Sequence, residues 1–202
     1  SGQLSLGAAG FMSVGAYVGA LLSLKADLPI VVGILAGGFV AALVAVIIGL
    51  PTTRLKGLYL AIATLGFGEV VRVIFLNLDV TNGALGLSGI PSIPQELTNF
   101  AYEIDIDGLM GIDAVAWGNI MAIIILLIVL IFIIAFCVRI NNSRVGRAFA
   151  AIKADDHAAE LMGINVVYYK MMAFIIGAFI AGIGGGLYAH ITNFINPTDF
   201  SY

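Results

Sequence analysis

Two charged residues interrupt an otherwise apolar stretch, at a spacing that lets them act together. Glu69 and Arg72 are three positions apart, so on a helix they share a face and can form an ion pair. Unpaired at the centre of a bilayer, each charge would cost about 2.5 to 3.5 kcal/mol. The two residues therefore either neutralise each other against a helix bundle or line a path for a solute that carries both an ammonium and a carboxylate group.

A second candidate for chemistry is the motif Gly86-Leu87-Ser88-Gly89, which has the Gly-x-Ser-Gly pattern of rhomboid intramembrane proteases. His190, in a later apolar stretch, is the possible base for a Ser88 nucleophile. Such a protease needs its serine at the start of a membrane helix. Pro91 and Pro94 disfavour a helix there, so we predict that Ser88 lies in an external turn and expect no catalytic residue.

Metal and nucleotide chemistry are also poorly supported by the sequence. Asp155, Asp156 and His157 are adjacent, and neighbouring side chains on a helix point in different directions, so we expect no metal site. The chain has no phosphate-binding Gly-x-x-x-x-Gly-Lys-Ser/Thr loop, and any ATP has to be hydrolysed by a partner. We expect no cofactor.

The composition is typical of helical membrane proteins. The chain is 61% hydrophobic and 10% charged, far outside the range of soluble domains. A helix needs about 20 apolar residues to cross the hydrocarbon core. We predict an all-α, polytopic transmembrane bundle with five spans, the first of them the least apolar: Leu4 to Leu24, Leu28 to Leu50, Gly57 to Leu78, Trp117 to Val138 and Tyr168 to His190.

Charged residues predict the orientation of these spans. Five of the nine Lys and Arg residues fall between Arg139 and Lys170, whereas the connection from Asn77 to Ala116 has none. Because basic loops stay in the cytoplasm, we predict that 139–169 is a cytoplasmic loop and 77–116 an external one. Residues 1–202 are expected to form one transmembrane domain, a fragment of a longer membrane protein.

Small residues at four-residue spacing predict where the helices pack, since close backbone approach holds helices together in lipid. The second span has one such ridge and the last span has two. They comprise Gly33, Gly37, Ala41, Ala45 and Gly49; Gly177, Ala181, Gly185 and Ala189; and Ala178, Gly182 and Gly186.

The cytoplasmic segment has the pattern of an amphipathic docking helix. Its apolar side comprises Phe149, Ile152, Ala159 and Met162, and its charged side comprises Arg147, Lys153, Asp156 and Glu160. Gly163 is a plausible C-cap, because a left-handed residue commonly ends a helix. Such a helix either docks on a soluble partner or lies on the membrane surface.

The order of these motifs resembles the inner-membrane permease subunits of ATP-binding-cassette (ABC) importers for branched-chain amino acids, of the LivM type, with urea permeases as close relatives. The matching stretches cover nearly the whole chain. They are Gly2-Gln3-Leu4-Ser5-Leu6-Gly7, Arg54-Leu55-Lys56-Gly57-Leu58-Tyr59, Thr64-Leu65-Gly66-Phe67-Gly68-Glu69, Gly86-Leu87-Ser88-Gly89-Ile90-Pro91, Gly146-Arg147-Ala148-Phe149 and Ala158-Ala159 to Gly163-Ile164-Asn165.

The resemblance also implies roles for individual residues. The signature loop of ABC importer permeases reads Glu-Ala-Ala, three residues and Gly; Ala158, Ala159 and Gly163 match it, whereas His157 stands in place of Glu. The residues implied in coupling to an ATPase are Arg147, Phe149, Asp156, His157, Ala158, Ala159 and Gly163. The residues we assign to the substrate path are Thr64, Glu69 and Arg72.

The implied function is translocation of branched-chain amino acids across the bacterial inner membrane, without covalent chemistry. The implied partners are ATP-binding subunits, a second permease subunit of the LivH type, a periplasmic or lipid-anchored binding protein, the amino acid and membrane lipid, and no nucleic acid is expected. Two alternatives stay open. One is an ABC permease for urea or short amides. The other is an ion-driven secondary transporter, which would need intramembrane acidic sites beyond Glu69.

Overall fold

The computed structural model describes residues 7–26, 28–52, 58–104 and 113–200. Five of its helices are long and apolar enough to cross a membrane, which confirms the predicted polytopic helical class. Their bounds are Ala8–Lys25 (α1), Ile30–Thr52 (α2), Leu58–Asn77 (α3), Ala114–Asn141 (α5) and Val166–Thr192 (α8).

Within the described ranges, shorter elements connect these spans. Three of the described helices lie outside the spans: Ile93–Glu103 (α4), Arg144–Ala154 (α6) and Asp156–Leu161 (α7). Leu87–Ser88 (β1) pairs antiparallel with Phe194–Ile195 (β2), so that Leu87 faces Ile195. Three single 3₁₀ turns span Asp79–Thr81, Gly83–Leu85 and Pro197–Phe200.

Helix α4 corrects the expectation that prolines exclude a helix in this region. The Ser92 hydroxyl accepts a hydrogen bond from the Gln95 N–H at 3.2 Å and caps the helix. Pro94 lies in the first turn, where its missing N–H would have had no partner within the helix. A helix therefore begins at Ile93, five residues after Ser88, while Ser88 itself is in β1.

Helices α1, α2 and α8 form the packed core. The backbones approach closely wherever glycines face each other, as expected in lipid. The order of the contacts along each helix shows that α2 runs antiparallel to α1, whereas α8 runs parallel to α1. The facing glycines are Gly15 with Gly37 and Gly182, and Gly19 with Gly33 and Gly186.

The predicted ridges are largely confirmed. Every member of the α2 ridge is buried, as are Ala178, Gly182 and Gly186 on α8. For the other α8 ridge, the prediction was wrong at Gly177, which is exposed and has no described atom within 4 Å of an added Cβ. Glycine spacing alone therefore did not identify which face of α8 is packed.

The connections between spans fall at two opposite ends of the bundle. Gly49, near the end of α2, contacts Met171, near the start of α8, and the α6 and α7 helices lie at this end. At the other end, Ser23 of α1 meets His190 of α8, beside the paired strands. The basic segment 139–169 and the described part of the segment 77–116 are thus at opposite ends, as an alternating path of five spans requires.

Helix α5 stands apart from the core. It packs on α4, where Gly118 lies against Pro94 and Thr98. An apolar cleft of about 780 Å³ separates it from α2 and α8, with Ile34, Phe132 and Ile183 among its walls. Most of α5 is consequently exposed along its length.

Candidate coupling segment and substrate path

The segment between α5 and α8 is built from locally encoded helix boundaries. The Ser143 hydroxyl accepts hydrogen bonds from Val145 N–H at 3.2 Å and Gly146 N–H at 3.4 Å, and so caps α6. Asn165 caps α8 in the same way, from Tyr168 N–H at 3.0 Å. Small polar residues therefore define where these helices begin.

Asp155 divides the segment in two, which corrects the expectation of one continuous docking helix. Its backbone is extended, at φ −158° and ψ 119°. Its carboxylate accepts hydrogen bonds from His157 N–H at 2.8 Å and Ala158 N–H at 3.2 Å. An aspartate that bonds to the following backbone competes with helix continuation, so α6 ends at Ala154 and α7 begins at Asp156.

Gly163 ends α7 as predicted. It adopts φ +81°, and its N–H donates to the Glu160 carbonyl at 3.0 Å. The Ile164 N–H donates to the Ala159 carbonyl at 3.1 Å, which completes a Schellman motif. A side chain at position 163 would be strained, because L-residues rarely adopt this φ.

The segment is anchored to α8 by an ion pair and by a contact between two aromatic rings. Asp156 forms an ion pair with Lys170, whose side chain is only 9% exposed. The Phe149 ring meets the Tyr169 ring edge to face at a centroid distance of 6.2 Å. Ile152 is 2% exposed. These contacts join α6 and α7 to the N-terminal end of α8.

Lys170 is a member of this site that sequence reasoning missed. Lys170 lies fourteen positions after Asp156 and on a different helix, so helical spacing does not indicate that the two residues are paired. The available signal was a single lysine at the start of an apolar span, which in a membrane protein calls for a partner.

The outward surface of the segment differs from the expected one. Ala159 is buried, whereas Met162, predicted to share its apolar side, is 82% exposed and Leu161 is 91% exposed. The break at Asp155 changes the register between the two helices, so that one apolar side does not continue through both. Leu161 and Met162 form an exposed apolar tip on α7 that sequence reasoning did not identify. The remaining candidate residues Arg147, His157 and Ala158 are exposed as well.

The substrate-path candidates lie on two different faces of α3. Arg72 Nε donates to both Glu69 carboxylate oxygens, at 3.1 and 3.0 Å. In the part of the chain that the structure describes, this ion pair faces away from the packed core. The side-chain exposures are 58% for Glu69 and 26% for Arg72. Thr64 is instead buried against Gly7, the residue before α1, and its hydroxyl donates to the Ala61 carbonyl at 3.0 Å. The predicted ion pair forms, but Thr64 is not beside it.

The structure does not assemble the protease alternative. His190 is fully buried, with Nδ1 2.7 Å from the Gly186 carbonyl and Nε2 2.9 Å from the Ser23 hydroxyl. Since a carbonyl only accepts, Nδ1 donates and Nε2 accepts from Ser23. The ring nitrogen that would have to act as the general base is therefore hydrogen-bonded to Ser23. Ser88 is exposed in β1. Among the described residues, no group of His, Cys, Asp and Glu could hold a metal ion.

Residues 1–202 match the family model described as branched-chain amino acid transport system / permease component. The high-affinity branched-chain amino acid transport system permease protein LivM of Salmonella typhimurium is 33% identical over all of this chain and 49% of its own length. The probable branched-chain amino acid transport permease protein LivM of Methanocaldococcus jannaschii is 28% identical over 81% of this chain and 43% of its own length.

A more limited similarity extends to the permease protein LivH of the same transport system in Escherichia coli. It is 34% identical over 38% of this chain and 25% of its own length. No solved structure matches the chain. The chain spans about half the length of the LivM relatives it matches. Since the family model covers it from end to end, the chain belongs to the family of permease components of branched-chain amino acid transport systems.

Proposed function

We propose that this chain is the membrane-embedded core of a permease subunit in an ABC importer, and that the importer carries branched-chain amino acids across a bacterial inner membrane. The observation that carries the proposal is the α6–α7 segment, which is anchored to a membrane-spanning helix and presents an exposed apolar tip. The ion pair fixes the segment to a spanning helix, so a force applied at the tip would reach the bundle. The family description and the LivM relatives support the substrate class.

The proposed orientation places the α6–α7 segment in the cytoplasm. Arg139, Arg144, Arg147 and Lys153 belong to this end of the bundle, and basic residues near spans favour the cytoplasmic side. The strand pair and α4 then face outwards, where a periplasmic or lipid-anchored binding protein would deliver the solute.

In this proposal the ATP-binding subunits dock on the apolar tip. Closure of those subunits on ATP would displace α7, and the Asp156 to Lys170 ion pair would carry that displacement into α8. Helix α8 is packed along α1 and α2 through glycine contacts, so the core would move with it as a rigid unit. Arg147, His157 and Ala158, exposed on the same segment, would complete the docking surface.

The second permease subunit is proposed to cover the open face of α3. This face carries Glu69 and Gly66, and no described atom lies near a Cβ added at Gly66. The partial similarity to LivH supports a pair of related permeases, and a path between two similar subunits follows from their pseudo-symmetry. Glu69 and Arg72 would then line the path, where a zwitterionic solute could contact both charges.

We expect Glu69→Gln to reduce uptake of labelled leucine in vesicles to about a tenth or less of the wild-type rate. The loss should persist in the double variant Glu69→Gln/Arg72→Gln, because solute contact cannot be restored by removing Arg72 as well. The matched control is Glu103→Gln, an exposed carboxylate on α4 that should leave uptake unchanged. Recovery of uptake in the double variant would instead show that Glu69 only neutralises Arg72.

The proposed function is tested on the complete transporter, reconstituted with its ATP-binding subunits, the second permease subunit and the binding protein. Leucine uptake should require ATP inside the vesicles and persist when ionophores collapse all ion gradients. An excess of urea should not compete. Uptake that continues without ATP and stops with the ionophores would identify an ion-driven transporter, and competition by urea would favour the amide alternative.

A further inference from the structure

Two buried hydroxyl groups on α1 have no hydrogen-bond partner among the described residues. Ser13 is 2% and Tyr17 0% exposed, and neither Ser13 Oγ nor Tyr17 Oη is bonded. They are one helical turn apart and so lie on one side of α1. Buried polar groups are nearly always paired, and within a membrane no bulk water can replace the missing partner.

Other buried hydroxyls in the same bundle do have hydrogen-bond partners. Ser23, ten residues further along α1, is bonded to His190 at 2.9 Å. Thr52 donates to the Ile48 carbonyl four residues back at 2.9 Å. Ser13 is also in a helix and has the same local route to a carbonyl, but its hydroxyl does not use it.

The surroundings of Tyr17 are apolar and lie at the proposed outer end. Its ring stacks on that of Phe75 of α3 at a centroid distance of 4.4 Å. Leu87 of β1, Ile195 of β2 and Phe200 complete the cluster around it. A third unbonded buried atom, Asn193 Oδ1, belongs to the residue that immediately precedes β2.

The cover over Tyr17 consists of short pieces. We define the outer cap as β1, β2 and the turn Pro197–Phe200, which pack against α1 around Tyr17. Two-residue strands and a single turn have few hydrogen bonds to break, so they can separate from α1 more easily than the long helices can.

We infer that Ser13 and Tyr17 are a solute-binding site of the permease, closed in this conformation by the outer cap. The two hydroxyls donate to the carboxylate of a free amino acid, and the Phe75 ring with the apolar cap residues receives its branched side chain. When the cap closes without solute, the hydroxyls lose their partners, which favours reopening. The inference rests on the proposed function, since it assumes an amino acid as the solute.

The test compares Tyr17→Phe, Ser13→Ala and the double variant in the complete reconstituted transporter. Because each change removes an unpaired hydroxyl, the melting temperature should stay the same or rise. ATP-driven leucine uptake per folded transporter should fall at least tenfold in the double variant. The ATP-binding subunits should still co-purify, because the site is far from α7.

Ser23→Ala is the matched control, a buried serine on the same helix whose hydroxyl is paired. It should lower the melting temperature by leaving His190 without its donor, while uptake per folded transporter stays at the wild-type rate. Tyr59→Phe, at an exposed position of α3, controls for the loss of a tyrosine hydroxyl. Both of these variants keep the site intact.

Wild-type uptake by the double variant would overturn the inference, whatever its melting temperature. A lower melting temperature in Tyr17→Phe would also overturn it, by showing that the hydroxyl is paired in the closed state. A wild-type transporter that binds ATP-binding subunits but does not take up leucine would contradict the proposed function itself, and that result is obtained before any variant is made.

Discussion

Aspartate in place of Leu161 or Met162 is expected to release the ATP-binding subunits from the permease. Both side chains are more than four-fifths exposed, so the substitutions should leave the fold intact. A charge placed in an apolar docking groove has to be desolvated there, and loss of an interface anchor typically costs at least about 2 kcal/mol. The affinity should therefore fall about thirtyfold or more. Co-purification of the ATP-binding subunits and leucine-stimulated ATP hydrolysis measure the effect.

Leu85→Asp is the matched control for this prediction. Leu85 is 84% exposed, but it lies at the opposite end of the bundle. The same substitution there should leave co-purification at the wild-type level. Retention of the ATP-binding subunits by both Leu161→Asp and Met162→Asp would mean that the tip of α7 is not where they dock.

The location of Ala159 changes which substitution is informative. From the sequence, Ala159→Glu would be the natural way to disrupt docking. In the structure, Ala159 is 3% exposed and faces the protein rather than a partner. A glutamate there would damage the permease itself, and loss of docking would not distinguish a coupling element from a misfolded segment.

Alanine in place of Gly182 is expected to destabilise the core by forcing two packed helices apart. A Cβ at this position would lie 2.7 Å from the Cβ of Ala41 and 2.9 Å from the Cα of Gly38. These distances are shorter than real carbon contacts, so α2 and α8 must separate. Overpacking of this kind typically costs about 1 to 3 kcal/mol. We expect a clear drop in the melting temperature of the detergent-purified complex.

Gly184→Ala provides the control two residues away on the same helix. No described atom lies within 4 Å of a Cβ added at Gly184. Alanine favours helix over glycine by about 1 kcal/mol, so this variant should be as stable as the wild type or more stable. Equal losses of stability for the two variants would show that the α2–α8 contact does not depend on close backbone approach. Ile34, which from ridge spacing alone would also serve as an unpacked control, is 8% exposed and contacts Gly186, so it is unsuitable.

The amino-acid sequence by itself determined the class of the protein and the position of its spans. Long apolar runs have only one stable solution in a membrane, since every backbone hydrogen bond must be made within the helix. The helix end at Gly163 was also predictable, because a left-handed cap depends only on the backbone conformation of that one residue. The Glu69 to Arg72 pair was predictable too, as both partners lie within one turn of one helix.

Only the tertiary structure decided which surfaces face each other. The ion pair between Asp156 and Lys170 and the exposure of Leu161 depend on how two helices meet after the break at Asp155. That break results from a competition between one carboxylate and the helix backbone, which spacing patterns do not resolve. The unpaired hydroxyl of Tyr17 is likewise visible only once the chain has brought the outer cap over α1. Contacts between residues far apart in sequence leave no period along the chain, so they become apparent only in the folded protein.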